Sequence, residues 1–254
     1  MKNLNYWSLI LVISFLMGAC GEAEERNETN ERVEEREMAQ QTDQRDADIS
    51  LTEERRNALT PDDVVKEFQQ GNQNFIKDSL TPRNRQRRIQ ETGSAQYPKG
   101  MILSCIDSRV PVEEIFDQGL GDIFVGRIAG NFADEEMLGS MEFATKVAGS
   151  KVIVVLGHEN CGAVKSAIDE VELGNITAML KHIKPAVKMT DNYPEEQRSI
   201  KNVEYVNEVV KNNVIYTVDE IRKNSSIIAE MEENGEIKIL GAVYDVNTGT
   251  VEFL

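Results

Sequence analysis

Two short runs carry nearly all the soft donor chemistry of this chain: Ser104-Cys105-Ile106-Asp107-Ser108-Arg109 and His158-Glu159-Asn160-Cys161. The chain has three cysteines and two histidines in 254 residues. Cys20 falls in an apparent export signal, which leaves Cys105 and Cys161 as the thiols of the mature domain, with His158 three residues before Cys161. Two thiolates and one imidazole form a ligand set that suits Zn²⁺, with a fourth position for water or a carboxylate. Two other readings compete. Cys105 and Cys161 could form a disulfide in the oxidising compartment that an export signal implies. The zinc could also be purely structural, with Asp107 as a permanent fourth ligand. A disulfide would leave His158, Asp107 and Arg109 unexplained.

The elements that must position these residues are readable around them. Met101-Ile102-Leu103-Ser104 is a short apolar run after the turn signal Tyr97-Pro98-Lys99-Gly100 and reads as a buried strand ending at Cys105. Lys151 to Gly157 is a second such run, with His158 just past it, and Cys161-Gly162-Ala163-Val164 opens a helix. Both donor groups therefore fall at the carboxyl ends of expected parallel strands, where open α/β sheets build their sites. A helix starting at Cys161 favours its thiolate. Asp107 belongs beside the metal, with Arg109 paired to it, keeping the carboxylate ionised and turned away from zinc.

Cys-x-Asp-x-Arg followed by His-x-x-Cys-Gly, each after a strand, resembles the β-class carbonic anhydrases, from about residue 60 to the C-terminus. The resemblance includes Phe124 to Asn131 and Ser140 to Ala144. It implies an α/β fold with a mostly parallel central sheet, flanking helices and an N-terminal helical arm packed across a partner subunit. It implies one Zn²⁺ per chain on Cys105, His158 and Cys161, and reversible hydration of CO₂ to bicarbonate and a proton by attack of zinc-held hydroxide. Asp107 would accept the hydroxide's hydrogen bond. Phe124, Ala129 and Phe143 would wall the substrate pocket, Gly162 would offer a backbone N–H, and Gln96 would donate to substrate from across a dimer interface. The partners implied are CO₂ and bicarbonate and a second copy, as a homodimer or higher even oligomer. A non-catalytic zinc-binding surface protein, or a hydrolase of COS or CS₂, are the alternative readings. Asp107 with Arg109 argues against the former, since a structural zinc needs neither.

The rest of the chain sets the context. The formal net charge of −16 argues against nucleic-acid binding, which needs a basic footprint, and does not forbid a small neutral substrate. Residues 1–19 read as a lipoprotein-type bacterial signal peptide: Lys2, a short apolar run from Leu9 to Met17, then Gly18-Ala19-Cys20. Cleavage would leave Cys20 lipidated and the protein anchored in the cell envelope. Residues 20–57, rich in charge and poor in large apolar side chains, read as a solvated tether. Residues 58–254 are the expected enzyme domain, starting with a helix capped by Thr60 with Pro61 at its first position. The arginines of the next helix, Arg83, Arg85, Arg87 and Arg88, read as a solvated face. Helices are expected at Pro111–Asp117, Glu135–Val147, Cys161–Glu172, Thr177–Met189 and Val203–Asn234, the last broken near Asn213 or Asn224. Strands are expected at Asp122–Arg127, Lys238–Tyr244 and Thr250–Phe253. His182 reads as a surface helix position rather than a proton shuttle.

Overall fold

A computed structural model describes residues 49–254. The signal peptide, Cys20 and most of the expected tether lie outside the described residues. The centre is a five-stranded sheet in the order β2-β1-β3-β4-β5. Its strands are β1 (Gly100–Ser104), β2 (Ile123–Arg127), β3 (Val152–His158), β4 (Lys238–Tyr244) and β5 (Val251–Phe253). The first four are mutually parallel; β5 returns antiparallel beside β4 after the Asn247-Thr248-Gly249 turn. β3 is buried at all seven positions, as a central parallel strand covered on both faces must be.

The two faces are covered by different helices. Met101, Leu103, Ile153 and Val155 point to one side, against α5 (Glu135–Glu142), α9 (Val203–Asn224) and α10 (Ser226–Glu233). Ile102, Val152, Val154 and Leu156 point to the other, against α2 (Pro61–Ile76) and α4 (Val112–Ile115). Alternation along β1 and β3 decides this split. α2 begins as expected: the Thr60 hydroxyl accepts from the Asp63 N–H while the Asp63 carboxylate accepts from the Thr60 N–H at 3.0 Å, with Pro61 at the first turn.

Connectivity places the site. From β1 the chain moves outward to β2, then crosses back to β3 and continues to β4 on the other side. The carboxyl ends of β1 and β3 therefore flank the point where the strand order reverses, the crevice where such sheets bind ligands. Ser104 pairs with Leu156, so Cys105, next after Ser104, and His158, two residues past Leu156, emerge side by side.

Several expectations are corrected. Ordered structure starts earlier than residue 58: α1 (Glu53–Ala58) is capped by Thr52, and Arg56 is buried, donating to the Ala148 carbonyl. α2 packs one face on the chain's own sheet, with Val64 and Phe68 fully buried. The arginine run is not all a solvated face. Only residues 85–92 form α3 (Arg85–Thr92), Arg83 holds the buried Asp117 at 2.6 Å, and Arg88 holds Asp122 at 2.9 Å. α5 runs on into a π turn, Phe143–Val147, rather than staying a regular helix to Val147. The expected Thr177–Met189 helix is two, α7 (Gly174–Leu180) and α8 (Lys184–Met189), because Pro185 cannot sit inside a continuous helix and instead occupies the first turn of a new one. The long helix does break beside Asn224, as one of the two expected positions had it, at Ser225, whose hydroxyl caps α10.

Candidate metal centre

Cys105 follows β1, His158 ends β3, and Cys161 is the residue before α6 (Gly162–Ile168). Their donor atoms lie within 4.8 Å of one another, and all three side chains are buried. Both cysteines are free thiols rather than a disulfide. Among the described residues this is the group that could hold a metal ion.

The donors themselves show whether zinc fits. His158 Nδ1 lies 3.0 Å from the Glu159 carbonyl, which fixes the proton on Nδ1 and leaves the Nε2 lone pair for another partner. Nε2 is buried and has no hydrogen-bond partner among the described residues, a costly state for a polar atom. It faces two sulfurs, so a soft divalent cation satisfies all three donors at once. The set fits Zn²⁺.

The two thiols are unequal. The hydrogen bond from Cys161 holds Cys105 well below the ordinary thiol range, at about 4, aided by His158 and by the N–H groups of Gly130 and Asp107. The same interaction, with burial, pushes Cys161 up, outweighing the Val164 and Ala163 N–H groups at the start of α6. The N–H groups at the helix start do favour the Cys161 thiolate as expected, but each sulfur meets two such amides, so the difference between them lies in the burial of Cys161 and in His158 beside Cys105.

Asp107 is held from three directions by one residue. Arg109 donates from its backbone N–H to Oδ1 at 2.9 Å, from Nε to Oδ1 at 3.0 Å and from Nη2 to Oδ2 at 2.8 Å. These side-chain hydrogen bonds keep the Asp107 carboxyl far below the usual carboxylate range. Oδ2 is 3.8 Å from His158 Nε2, so the carboxylate stands beside the donors while facing the guanidinium.

Sequence reasoning missed Arg127. The register pairs it with Ser104, and its Nε donates to the Cys105 carbonyl at 2.9 Å and its Nη2 to the Asp107 carbonyl at 2.7 Å. It pins the backbone that carries both side chains. Its only sequence signal was a lone arginine at the end of an apolar strand.

The expected pocket residues separate into two groups. Ala129 precedes Gly130, whose N–H donates to Cys105 Sγ at 3.4 Å, and Gly162 opens α6 with open space around it. These lie at the centre. Phe124 pairs in register with Met101, four residues before Cys105, roughly 13 Å of strand away. Phe124 and Phe143 meet edge-on at 6.4 Å and line a separate apolar cavity of about 560 Å³ with Met101 and Met137. Gln96 is exposed on the loop before β1, at the opposite end of that strand from the thiols. His182 is exposed in the turn between α7 and α8, stacked on Phe132 at 4.3 Å.

Comparison with known proteins gives a consistent picture. The family model described as carbonic anhydrase matches residues 100–251. The carbonic anhydrase of Mycolicibacterium smegmatis is 35% identical over 193 residues, covering 74% of this chain and 90% of that protein. Carbonic anhydrase 2 of Mycobacterium tuberculosis is 32% identical over 192 residues, covering 72% of this chain and 88% of its own length. Among solved structures, a β-carbonic anhydrase of Aspergillus fumigatus superposes with a TM-score of 0.60 at 24% identity, covering 75% of this chain and 88% of that one. A tetrameric β-carbonic anhydrase of Sordaria macrospora gives 0.56 at 24% identity, covering 64% and 83%.

Proposed function

Because the chain belongs to the carbonic anhydrase family, with the fold of the β class, we propose that Cys105, His158 and Cys161 hold its zinc and that Asp107 and Arg109 serve the reaction. The enzyme is a zinc-dependent carbonic anhydrase, converting CO₂ and water reversibly to bicarbonate and a proton. Zinc held there supplies a Lewis acid that brings the pKa of water towards neutrality. Asp107 accepts the hydrogen bond of the attacking oxygen, so that a lone pair faces the carbon of CO₂. Arg109 keeps Asp107 ionised and turned from the three donors. Arg127 holds the backbone under both. Ala129 and Gly162 leave room for a small apolar substrate.

The observation that carries this reading is the Arg109 grip on Asp107 beside three converging donors, a feature that a structural zinc does not require. Stopped-flow CO₂ hydration on metal-analysed protein tests it. About one Zn²⁺ per chain is expected, and Cys105→Ser or Cys161→Ser should lose most of the metal and nearly all activity. A Cys105–Cys161 disulfide in active protein would overturn it.

Two finer readings extend this. The first is a homodimer or higher even oligomer in which Gln96, Phe124 and Phe143 serve the centre of a second copy. Their distance from their own chain's thiols and the exposure of Phe143 support it. The second is a lipid anchor at Cys20 and a cell-envelope location, supported by the order of Lys2, the apolar run and Gly18-Ala19-Cys20.

A further inference from the structure

α9 turns an almost wholly apolar stripe to the sheet. Val209, Val210, Val214, Val218 and Ile221 are buried at helical spacing, and Asn213 sits among them, 1% exposed. An amide in such a stripe costs stability unless its polar atoms find partners. Asn213 Nδ2 donates to the Gly130 carbonyl at 2.8 Å, while its Oδ1 is buried with no hydrogen-bond partner among the described residues. Gly130 belongs to the turn Ile128-Ala129-Gly130-Asn131, closed by the Asn131 N–H on the Ile128 carbonyl at 2.9 Å, with Gly130 at φ 85°. A positive φ at the third position marks a type II turn and calls for glycine. The central amide of such a turn takes no part in the closing bond. Here that amide, the Gly130 N–H, donates to Cys105 Sγ at 3.4 Å. On its other side the turn has no slack: a Cβ on Gly130 would lie 2.3 Å from Ile183 Cδ1.

We propose that Asn213 is a positioning residue for the metal centre: by gripping the Gly130 carbonyl it holds the Gly130 N–H on the Cys105 sulfur, fixing that thiolate's direction and its electron donation. The inference rests on the zinc assignment of Cys105. Loss of a group that orients a metal ligand typically costs about tenfold to a hundredfold in metal affinity, and Asn213 reaches this ligand through a single glycine.

Cobalt tests it, because sulfur-to-Co²⁺ charge-transfer absorption reports on cysteine–metal bonds independently of turnover. Asn213→Leu keeps the volume and removes the donor. Asn213→Ala removes the donor without a forced fit and serves if the leucine variant does not fold. Thr217→Val is the control: Thr217 is buried one turn further along the same stripe, and its hydroxyl has no hydrogen-bond partner among the described residues. In either folded Asn213 variant, the charge-transfer band should move to lower energy, since a thiolate without its N–H donor holds its electrons less tightly. Chelator competition should show Co²⁺ binding weakened about tenfold. Thr217→Val should leave both unchanged. An unmoved band and affinity in a folded Asn213 variant, or an equal change in Thr217→Val, overturns the proposal. If wild-type protein takes up neither cobalt nor zinc, the zinc assignment falls and the proposal with it.

Discussion

A carboxylate two residues from a metal ligand can bind the metal or be held off it, and the choice rests on its strongest alternative partner. For Asp107 that partner is Arg109, with two side-chain bonds and a backbone bond. The depressed pKa of Asp107 has a definite sign. The carboxylate is ionised at every pH where the enzyme would work, so its own titration should not appear in the activity profile. Activity should rise with pH in one smooth titration as water on the zinc ionises. A cooperative collapse below about pH 8, with Asp107 on the zinc in a crystal at that pH, would show that the carboxylate does coordinate. Arg109→Ala should let the Asp107 pKa rise and free the side chain to turn to the metal. Zinc content should stay near one per chain while CO₂ hydration falls about tenfold to a hundredfold. Wild-type rates in that variant would defeat the role given to Arg109.

At the scale of elements, Asp117 ties three segments together in front of α4. It accepts from Asn74 at the end of α2 at 2.8 Å, from the Thr81 hydroxyl at 2.7 Å and from Arg83 at 2.6 Å. Burial alone would raise its pKa, but these hydrogen bonds together outweigh burial and hold it below the ordinary value of 3.8. A carboxyl whose folded pKa is depressed stabilises the fold above its unfolded pKa, and that stability is lost as pH falls through the folded value. Asp117→Asn should therefore cost about 3 kcal/mol near neutrality. The gap between wild type and variant in urea midpoint should narrow as pH drops below about 4. A gap that stays constant into strong acid would mean that the charge of Asp117 is not what holds these segments. The half-buried position of Arg83 and the buried one of Arg88 follow from the same logic, since each ends on a buried carboxylate rather than in water.

For the molecule as a whole, β2 is an edge strand, half-exposed along most of its length, and Phe143 beside it is 53% exposed. An apolar edge of this kind invites a second copy. Phe143→Glu should shift the protein to monomer in analytical ultracentrifugation and lower CO₂ hydration with zinc still bound, because Gln96, Phe124 and Phe143 would no longer reach a partner's centre. A monomeric variant with full activity would rule out that contribution. At the other end of the chain, Cys20→Ala should release the protein from membranes and leave the catalysis of the soluble domain intact. An unmodified mature N-terminus in mass spectrometry would rule out the anchor.

The donors were legible in the sequence because each half of the centre is local. Cys105, Asp107 and Arg109 share one loop, His158 and Cys161 share another, and the apolar runs before them announce the strands. Parallel-strand runs and the helices between them also made the sheet readable, since period and punctuation are properties of neighbouring residues. Only tertiary structure decided what depends on contacts between distant segments. The adjacency of β1 and β3 brings the two loops within 4.8 Å. The inequality of the two thiols follows from the burial of Cys161 and from His158 beside Cys105. Arg127 reaches the loop through strand register, and Asn213 reaches Cys105 through a turn 83 residues earlier in the chain. Burial of Arg56 and Arg88 was invisible for the same reason: a charged side chain is exposed by default, and only a carboxylate or carbonyl supplied from elsewhere in the fold makes its burial tolerable.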